Sequence, residues 1–367
     1  AGPAPLDVAL ALATTRGALE HRAAVTGAGR AELLDALDAL AAGRPSPQVV
    51  QGTAAGTRKV VFVFPGQGSQ WAGMAAELLD TAPVFRARIE ECERALAPHT
   101  DWSLTEVLTG AQGAAALERV DVVQPVLWAV MVSLAALWRS YGVEPAAVIG
   151  HSQGEIAAAA VAGALSLEDA ALVVALRSRL IRTELAGKGG MVSVQLSQAE
   201  VVERIAPWGE RISVAAVNGP RSVVVSGDPG PLAELVEQCE ADGVRARRID
   251  VDYASHSAQV ESLREQLLEI LAPIRPRRCD VAFYSTVEAA LLADTSVMDA
   301  DYWTRNLRRT VHFEETSRLL LADGHGAFVE ASPHPVLAIG LQETALDAGA
   351  DADVCGSLRR GEGGLDR

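Results

Sequence analysis

Two uninterrupted apolar runs stand out along the chain, and each is followed at once by a turn rich in glycine. Residues 59–64 combine β-branched and aromatic side chains and end at Pro-Gly-Gln-Gly-Ser at 65–69, and residues 146–150 end at a glycine. Runs that are apolar on both faces are typical of strands buried in a parallel sheet. Because small-residue helical patterns follow, as at 155–162, the order strand, turn, helix predicts an α/β layer fold.

The pattern changes between residues 187 and 251, where β-branched runs alternate with helical segments. Strands are predicted at 192–196, 212–217 and 222–226 and near 246–251. Several strands and two helical segments in so short a stretch predict a small α+β subdomain inserted into a larger one. The larger subdomain is expected to resume with the segment that contains His256.

The two ends of the chain differ from its middle. Residues 4–43 are rich in strong helix formers and predict helices, and the Gly-, Pro- and Ser-containing stretch at 43–56 predicts a linker. The tail from Asp347 to Arg367 is rich in glycine and charge, which predicts a surface linker. Since the chain starts at Ala1 without a methionine, we expect a fragment of a longer polypeptide or a processed product.

Length and composition narrow the class of protein. The 367 residues exceed the usual size of one hydrophobic core, so one large or two unequal domains are expected. Hydrophobic residues make up 49% and charged residues 22%, as in ordinary soluble proteins. No apolar run reaches the ~20 residues of a membrane span and no signal segment opens the chain, so no membrane partner is expected. The net charge of −15 argues against a nucleic-acid partner.

The cysteines carry no metal or disulfide signature. They lie far apart, without a Cys-x-x-Cys pair or paired histidines, at Cys92, Cys239, Cys279 and Cys355. This spacing argues against a zinc site and a disulfide framework and fits a reducing cytoplasm. We therefore expect a cytoplasmic protein.

The sharpest local signal is Gly-His-Ser-Gln-Gly at 150–154, a Gly-x-Ser-x-Gly pattern between a predicted strand and a predicted helix. In such an elbow the serine backbone is strained, and a Cβ two residues to either side would clash. The following helix directs free N–H groups and its dipole towards the serine, which favours negative charge there. Ser152 is the candidate nucleophile, and the alternative is a plain turn with Ser152 as a helix N-cap.

A serine hydroxyl needs a base that takes its proton, and His256 is the best candidate among the seven histidines. It follows a predicted strand and lies among small residues. His21 and His99 lie in charged or loop contexts. His151 is adjacent to the serine, where geometry prevents it from acting as the base, although its side chain can line the pocket. A lone histidine at position 256 is also compatible with a purely structural role.

Two glutamines are candidates for an oxyanion hole. Gln153 follows the serine directly, so its backbone N–H points to where an oxyanion would form, and Gln67 in the first turn can supply a second N–H. Paired donors of this kind are worth several kcal/mol at the transition state. A phosphate loop at 65–69 is rejected because the lysine of such a loop is missing.

Three motifs in this order resemble the acyltransferase domains of modular type I polyketide synthases, which are relatives of malonyl-CoA:ACP transacylase. They are Phe-Pro-Gly-Gln-Gly-Ser-Gln at 64–70, Gly-His-Ser-Gln-Gly at 150–154 and Tyr-Ala-Ser-His at 253–256. The resemblance runs from about Lys59 to Ala345, and the set of motifs is highly specific.

The resemblance implies a fold class and a domain plan. The fold expected is α/β, with a large α/β-hydrolase-like subdomain that has a parallel sheet, at 58–186 and 252–345, and a small inserted ferredoxin-like α+β subdomain at 187–251. An N-terminal helical linker at 1–57 resembles the end of a ketosynthase-to-acyltransferase linker. Residues 346–367 resemble the start of a post-acyltransferase linker.

The resemblance also implies roles for particular residues. It implies a dyad of Ser152 and His256 without a third carboxylate, because backbone carbonyls usually orient the histidine in this family. Gln67 and Gln153 match the oxyanion-hole positions. Arg177, 25 residues after Ser152 on a predicted helix, matches an arginine that grips the free carboxylate of malonyl-type substrates. A guanidinium fork pairs well with a planar carboxylate.

Substrate and partners follow from the same resemblance. Tyr253 and Ser255 stand where malonyl-selective members have His and Phe, and Gln124 and Gln153 also match the methylmalonyl type, with His151 expected to line the pocket. The implied donor is methylmalonyl-CoA, and the acceptor is the phosphopantetheine thiol of an acyl carrier protein. Neighbouring ketosynthase and other domains of the same polypeptide are expected partners, and no bound cofactor or metal is expected.

Other functions stay open at this point. A malonyl-, ethylmalonyl- or starter-unit-selective acyltransferase would share most of these motifs. A serine thioesterase or esterase would need an acid between Ser152 and His256, a position that Asp228 or Asp250 could nominally fill. A noncatalytic scaffold that only binds carrier protein is a third possibility, against which the intact Ser152, His256 and Arg177 argue.

Overall fold

A computed structural model of the chain describes residues 2–54, 56 and 58–367. Three residues lie outside the described ones: Ala1, Ala55 and Thr57. The prediction of a fragment concerned Ala1, and the other two fall in the predicted N-terminal linker at 1–57. The chain divides into two compact units, and the boundary in the sequence lies between Arg58 and Lys59.

The bounds of the regular elements are as follows. The helices are α1 (Pro5–Thr15), α2 (Arg30–Ala41), α3 (Ala76–Thr81), α4 (Pro83–Leu96), α5 (Leu104–Thr109), α6 (Val120–Ser140), α7 (Gly154–Ala162), α8 (Leu167–Glu184), α9 (Gln198–Ile205), α10 (Pro229–Ala241), α11 (Arg264–Leu271), α12 (Ala300–Arg308), α13 (Phe313–Ala322) and α14 (Ala338–Asp347). The strands are β1 (His21–Val25), β2 (Val49–Thr53), β3 (Lys59–Phe64), β4 (Ala147–Gly150), β5 (Gly190–Val194), β6 (Ile212–Gly219), β7 (Ser222–Gly227), β8 (Ala246–Ile249), β9 (Ala282–Ser285), β10 (Ala290–Leu291), β11 (His325–Glu330) and β12 (Asp353–Gly356).

The N-terminal unit contains α1, α2 and a two-stranded antiparallel sheet. In that sheet β1 pairs with β2, with His21 opposite Thr53. The prediction of helices throughout 4–43 is therefore wrong for β1, and the predicted linker at 43–56 contains β2. Neither strand has a strong local β signal, and each is formed by pairing with a partner distant in sequence, which a local pattern does not report.

The second unit is built on a six-stranded sheet of order β10-β9-β4-β3-β11-β12. The five strands β9, β4, β3, β11 and β12 run parallel to one another, and β10 pairs with β9 as an antiparallel edge strand. The prediction of a mixed α/β fold with a parallel sheet is confirmed. Because β3 and β4 are adjacent and parallel, the turns that follow Phe64 and Gly150 lie at the same edge of the sheet.

The sheet separates two cores, and alternate residues of β3 point to opposite sides. Phe62 and Phe64 join a large core with α4, α6, α7 and α8, whereas Val61 and Val63 join a smaller core on the other face. Helix α6 is 21 residues long and apolar enough to cross a membrane by length and composition, but 89% of its most apolar window is buried in the larger core. It is an interior helix of this unit.

A four-stranded antiparallel sheet of order β6-β7-β5-β8 lies between α8 and α11 in the chain, with α9 and α10 among its strands. Ala215 and Ala216 of β6 and Val224 of β7 pack into the smaller core together with Val61 and Val63 of β3. This contact brings the antiparallel sheet beside the carboxyl edge of the parallel one.

The C-terminal tail departs from its prediction as a surface linker. Residues Asp353–Gly356 form β12, which pairs in parallel with β11 at the edge of the six-stranded sheet. Leu358, shortly after it, is 4% exposed and belongs to the larger core. The glycine- and charge-rich composition hides a short edge strand because its partner strand supplies the pairing.

Candidate active site

Ser152 lies in the turn between β4 and α7, at the carboxyl edge of the parallel sheet. Its φ is 54°, in a region that residues with a side chain rarely adopt. A Cβ on Gly150 would lie 2.3 Å from the backbone nitrogen of Glu155, and a Cβ on Gly154 would lie 2.0 Å from the carbonyl oxygen of Phe64. The elbow therefore needs glycine at both positions, as the sequence predicted.

The side chain of His256 meets Ser152, with Nε2 2.7 Å from Oγ. The backbone N–H of His256 donates to the carbonyl of Leu307 at 2.9 Å, and its Nδ1 lies 2.7 Å from the carbonyl oxygen of Arg309. Since a carbonyl oxygen only accepts, Nδ1 carries the ring proton and donates it. Nε2 is thereby left free to accept the proton of the serine hydroxyl.

The imidazole of His256 is neutral in this environment. Burial lowers the pKa of His256 to about 3. The hydrogen bond to the carbonyl of Arg309 opposes this shift, and the positive charges of Arg177 and Arg308 add to it. A neutral imidazole with a free Nε2 is the form that a general base requires.

Gln67 and Gln153 both line the cavity at Ser152. Within the described residues, neither of their backbone N–H groups donates to another protein group. The side chain of Gln67 accepts a hydrogen bond from the hydroxyl of Tyr253 at 2.9 Å, whereas the buried side-chain amide of Gln153 has no partner among the residues that the structure describes. Two free N–H groups beside a nucleophile are the arrangement that an oxyanion hole needs.

Arg177 projects from α8 into the same cavity and is 1% exposed. Its Nη1 donates to Oδ1 of Asn306, its Nε has no partner, and it forms no ion pair in the part of the chain that the structure describes. Burial lowers the pKa of Arg177 to about 10, so the guanidinium is still charged at neutral pH. A buried cation without a carboxylate partner favours an anionic ligand.

All nine predicted site residues line one cavity of about 160 Å³. The four expected to shape substrate selection are among them: Gln124, His151, Tyr253 and Ser255. The amide of Gln124 donates to the hydroxyl of Tyr253 at 3.2 Å, and Oε1 of Gln124 is buried without a partner in the described part of the chain. His151 Nε2 is 2.7 Å from Oδ1 of Asn218 on β6, and burial lowers the pKa of His151 to about 4.

Glu155 is a buried carboxyl group at the site that sequence analysis missed. It lies one helical turn after Ser152 and accepts hydrogen bonds from the N–H and hydroxyl of Thr286, from the hydroxyl of Tyr302 and from the amide of Asn306. Burial raises the pKa of Glu155 to about 7, and these donors oppose the shift. The available signal was a single carboxylate in an otherwise apolar, small-residue helix.

Asn306, on α12, was also missed. It is 2% exposed and lies on the apolar face of its helix, one turn after Tyr302 and Trp303. A polar residue at a core position of an amphipathic helix needs buried partners, which is the signal that the sequence offered.

The position of a catalytic acid, which the thioesterase alternative requires, is taken by a backbone group. Nδ1 of His256 donates to the carbonyl of Arg309, and Asp228 instead accepts a hydrogen bond from Gln259. Within residues 2–54, 56 and 58–367, no group of three His, Cys, Asp or Glu side chains is arranged to bind a metal ion. The geometry is compatible with a serine nucleophile, a histidine base and an arginine that can bind an anion.

Known proteins share both the sequence and the fold of this chain. The acyl transferase domain family matches residues 61–367. The polyketide synthase GfsE of Streptomyces halstedii is 62% identical over 365 residues, which cover 100% of this chain and 9% of that protein. The chain thus spans only about a tenth of the length of this curated relative.

Solved structures agree with this likeness. The acyltransferase domain from module 8 of the salinomycin polyketide synthase has a TM-score of 0.96 and 59% identity, covering 100% of this chain and 86% of that one. A loading acyltransferase from the avermectin modular polyketide synthase has a TM-score of 0.81 and 54% identity, covering 84% of this chain and 96% of that one.

Proposed function

Because the chain belongs to the acyl transferase domain family of modular polyketide synthases, which are transferases, we propose that it moves a methylmalonyl unit from CoA to the phosphopantetheine thiol of an acyl carrier protein. One observation carries the proposal. The hydroxyl of Ser152, bonded to His256, shares a cavity with the buried cation Arg177, which forms no ion pair among the described residues. A nucleophile beside such a cation suits an acyl group that has a free carboxylate.

The first half of the reaction loads Ser152. Nε2 of His256 takes the hydroxyl proton as Oγ attacks the thioester carbonyl, and the N–H groups of Gln67 and Gln153 donate to the new oxyanion. The carbon–sulfur bond then breaks, and CoA leaves as its thiol with the proton from His256. The acyl group remains as an ester on Ser152.

The second half repeats these steps with the carrier thiol. His256 takes the proton of the phosphopantetheine thiol, and the sulfur attacks the ester carbonyl. The bond between the carbonyl carbon and Oγ breaks, and Oγ regains its proton from His256. The free enzyme is restored after one acyl transfer, which gives ping-pong kinetics.

Arg177 selects acyl groups that have a second carboxylate. Its unpaired Nε and the rest of its guanidinium edge are available for two parallel hydrogen bonds to a planar carboxylate. Because Arg177 is 1% exposed, this contact is stronger than it would be in water.

The α-methyl group is selected by several lining residues. Ser255 is a small residue where malonyl-selective relatives have Phe, which leaves room for a methyl group. Recognition of one methyl is worth only ~1–3 kcal/mol, so Tyr253, Gln124, Gln153 and His151 must contribute as well. The fact that these residues and Ser255 line the same cavity supports this assignment.

The domain plan is part of the proposal. Residues 1–57 belong to a ketosynthase-to-acyltransferase linker and 346–367 to the start of a post-acyltransferase linker, in a multidomain cytoplasmic polypeptide. The relative GfsE, of which this chain covers 9%, is likewise much longer than the matched region. The strand order β6-β7-β5-β8 supports a ferredoxin-like subdomain at 187–251. The mostly parallel sheet supports an α/β-hydrolase-like subdomain at 58–186 and 252–345.

Intact mass measured seconds after mixing with malonyl-, methylmalonyl- or propionyl-CoA tests the proposal. We expect a methylmalonyl adduct that is absent from Ser152→Ala and strongly reduced in Arg177→Ala. Arg179→Ala, an exposed arginine on the same helix, is the matched control and should load normally. An adduct from propionyl-CoA alone would indicate a starter-unit transferase, and rapid CoA release without an adduct would indicate a hydrolase.

A further inference from the structure

The end of α12 and the residue after it contact all three central residues of the site. The carbonyl of Leu307 accepts from the backbone N–H of His256, and the carbonyl of Arg309 accepts from its Nδ1. The side chain of Asn306 contacts both Ser152 and Arg177. A single short segment thus bonds to the nucleophile, the base and the arginine.

Asn306 makes the side-chain part of these contacts. Its Nδ2 donates to the carbonyl oxygen of Ser152 at 3.2 Å and to Oε2 of Glu155 at 2.8 Å, and its Oδ1 accepts from Nη1 of Arg177. The residue is 2% exposed, so water does not compete for these bonds.

The chemistry of these partners fixes the orientation of the amide. The carbonyl of Ser152 and the carboxyl oxygen of Glu155 need donors, and the guanidinium of Arg177 offers only donors. A flipped amide would oppose donor to donor and acceptor to acceptor at once. Aspartate in this place would lack the two donors, and leucine would lack every polar contact.

The neutral charge of the amide matters for Arg177. A carboxylate at this place would form an ion pair with the guanidinium and compete with an anionic ligand. Asn306 instead separates Glu155 from Arg177 and orients the guanidinium while leaving its charge available. A long side chain such as that of Arg177, which has no other hydrogen-bond partner among the described residues, needs such a partner to hold one direction in the cavity.

We propose that Asn306 is a positioning residue for diacid selection, which aims Arg177 at the substrate carboxylate and braces the strained backbone of Ser152. The inference rests on the proposed function, because it assigns to Arg177 the recognition of a carboxylate. Asn306 touches no reacting atom in this role.

The test compares loading of Ser152 by methylmalonyl-CoA and by propionyl-CoA, which lacks the second carboxylate, using quenched intact mass. Asn306→Leu should lower the methylmalonyl rate about 10-fold or more relative to the propionyl rate, since hydrogen bonds to charged groups are lost with orientation. Thr304→Val is the matched control: Thr304 is buried on the same helix, and among the described residues its hydroxyl bonds only to the carbonyl of Ala300 in that helix. It should leave the ratio of the two rates unchanged.

A double-mutant cycle shows whether Asn306 acts through Arg177. In an Arg177→Ala background, Asn306→Leu should not change the ratio further. An equal loss of both rates in Asn306→Leu, or the same change of ratio without Arg177, would overturn the inference.

Two further results separate this inference from the proposed function. If Arg177→Ala lowers the ratio and Asn306→Leu does not, only the positioning role fails, whereas an unchanged ratio in Arg177→Ala contradicts the proposed function itself. Should Asn306→Leu fail to fold, Asn306→Asp carries the test. Its carboxyl group pairs with Arg177, so the ratio should fall, and an unchanged ratio would again overturn the inference.

Discussion

Ser152 and His256 are 104 residues apart in the chain, yet Oγ of one lies 2.7 Å from Nε2 of the other, and both have a left-handed backbone. Their φ angles are 54° and 57°, and among the described non-glycine residues only Ala75 and Ala289 share such values. Strain of this kind costs of order 1–3 kcal/mol per residue and persists only where the surroundings impose it. The two side chains are thus held in contact before any substrate binds.

Gly154→Ala should destabilise the second unit. The new Cβ would lie 2.0 Å from the carbonyl oxygen of Phe64, a backbone atom that cannot move aside without disturbing β3. We expect the free energy of unfolding to fall by about 3 kcal/mol or more, measured by urea denaturation.

Gly230→Ala provides the comparison for that experiment. Gly230 lies in α10, and a Cβ there meets no atom within 4 Å, so alanine should be neutral or stabilise by ~0.5–1 kcal/mol. Equal destabilisation by both substitutions would mean that the elbow does not need its glycine.

The rate of acyl loading should be insensitive to protonation of His256 around neutral pH. Because burial lowers the pKa of His256 to about 3, the base stays neutral well below the ordinary value of ~6.5. The kcat/KM of loading, which reports ionisations of the free enzyme, should show no acid limb near pH ~6.5. A half-maximal rate at that pH in both the wild type and Glu155→Gln would contradict this assignment.

The same pKa has a consequence for stability. Between pH ~6.5 and about 3 the unfolded chain binds a proton at His256 that the folded chain does not. The free energy of unfolding should therefore fall as the pH is lowered through this window. His256→Gln should show a smaller fall, measured by denaturation at a series of pH values. An identical fall would show that the pKa of His256 is not lowered in the folded chain.

The contribution of Glu155 to stability should depend on pH in the sense opposite to that of His256, and Glu155→Gln tests this. Burial raises the pKa of Glu155 from 4.5 to about 7, so in this window the folded chain holds a proton that the unfolded chain releases. The contribution is present below about 4.5 and is lost as the pH rises through about 7, by about 3 kcal/mol in total. Glutamine should remove this slope, whereas Glu265→Gln at an exposed position of α11 should keep it.

Ser255→Phe should shift loading from methylmalonyl-CoA towards malonyl-CoA. Ser255 is 7% exposed and lines the cavity, so a phenyl ring would occupy space available to an α-methyl group. We expect the ratio of methylmalonyl to malonyl loading to fall about 10-fold, within the ~1–3 kcal/mol that one methyl group can supply. Ser255→Ala, which keeps the space open, should preserve the ratio in a competition assay read by intact mass.

The parts of the site that short-range patterns encode were predictable. Steric rules within a few residues decide the elbow around Ser152, so the need for glycine at 150 and 154 followed from the sequence and is confirmed by close backbone contacts. The apolar runs of β3 and β4 predicted the parallel sheet for the same reason. The motifs that contain Ser152 and His256 then indicated the family, which the relatives confirm.

The remaining features depend on residues that are distant in sequence. Strands β1, β2 and β12 form by pairing with remote partners, and their own composition resembles helix or linker. Burial is likewise a property of the whole fold, so the neutral imidazole of His256 and the raised pKa of Glu155 appear only once the surrounding elements pack.

The sequence by itself determined which residue types are available for chemistry and the local turn that presents Ser152. Tertiary structure decided that Asn306, 154 residues later, bonds to the backbone of Ser152 and to Arg177, and that the carbonyl of Arg309 takes the place of a catalytic acid. The physical reason is that hydrogen bonds between remote segments depend on distances of a few tenths of an ångström. Such distances are set by the packing of complete helices and sheets, which no short window of the sequence contains.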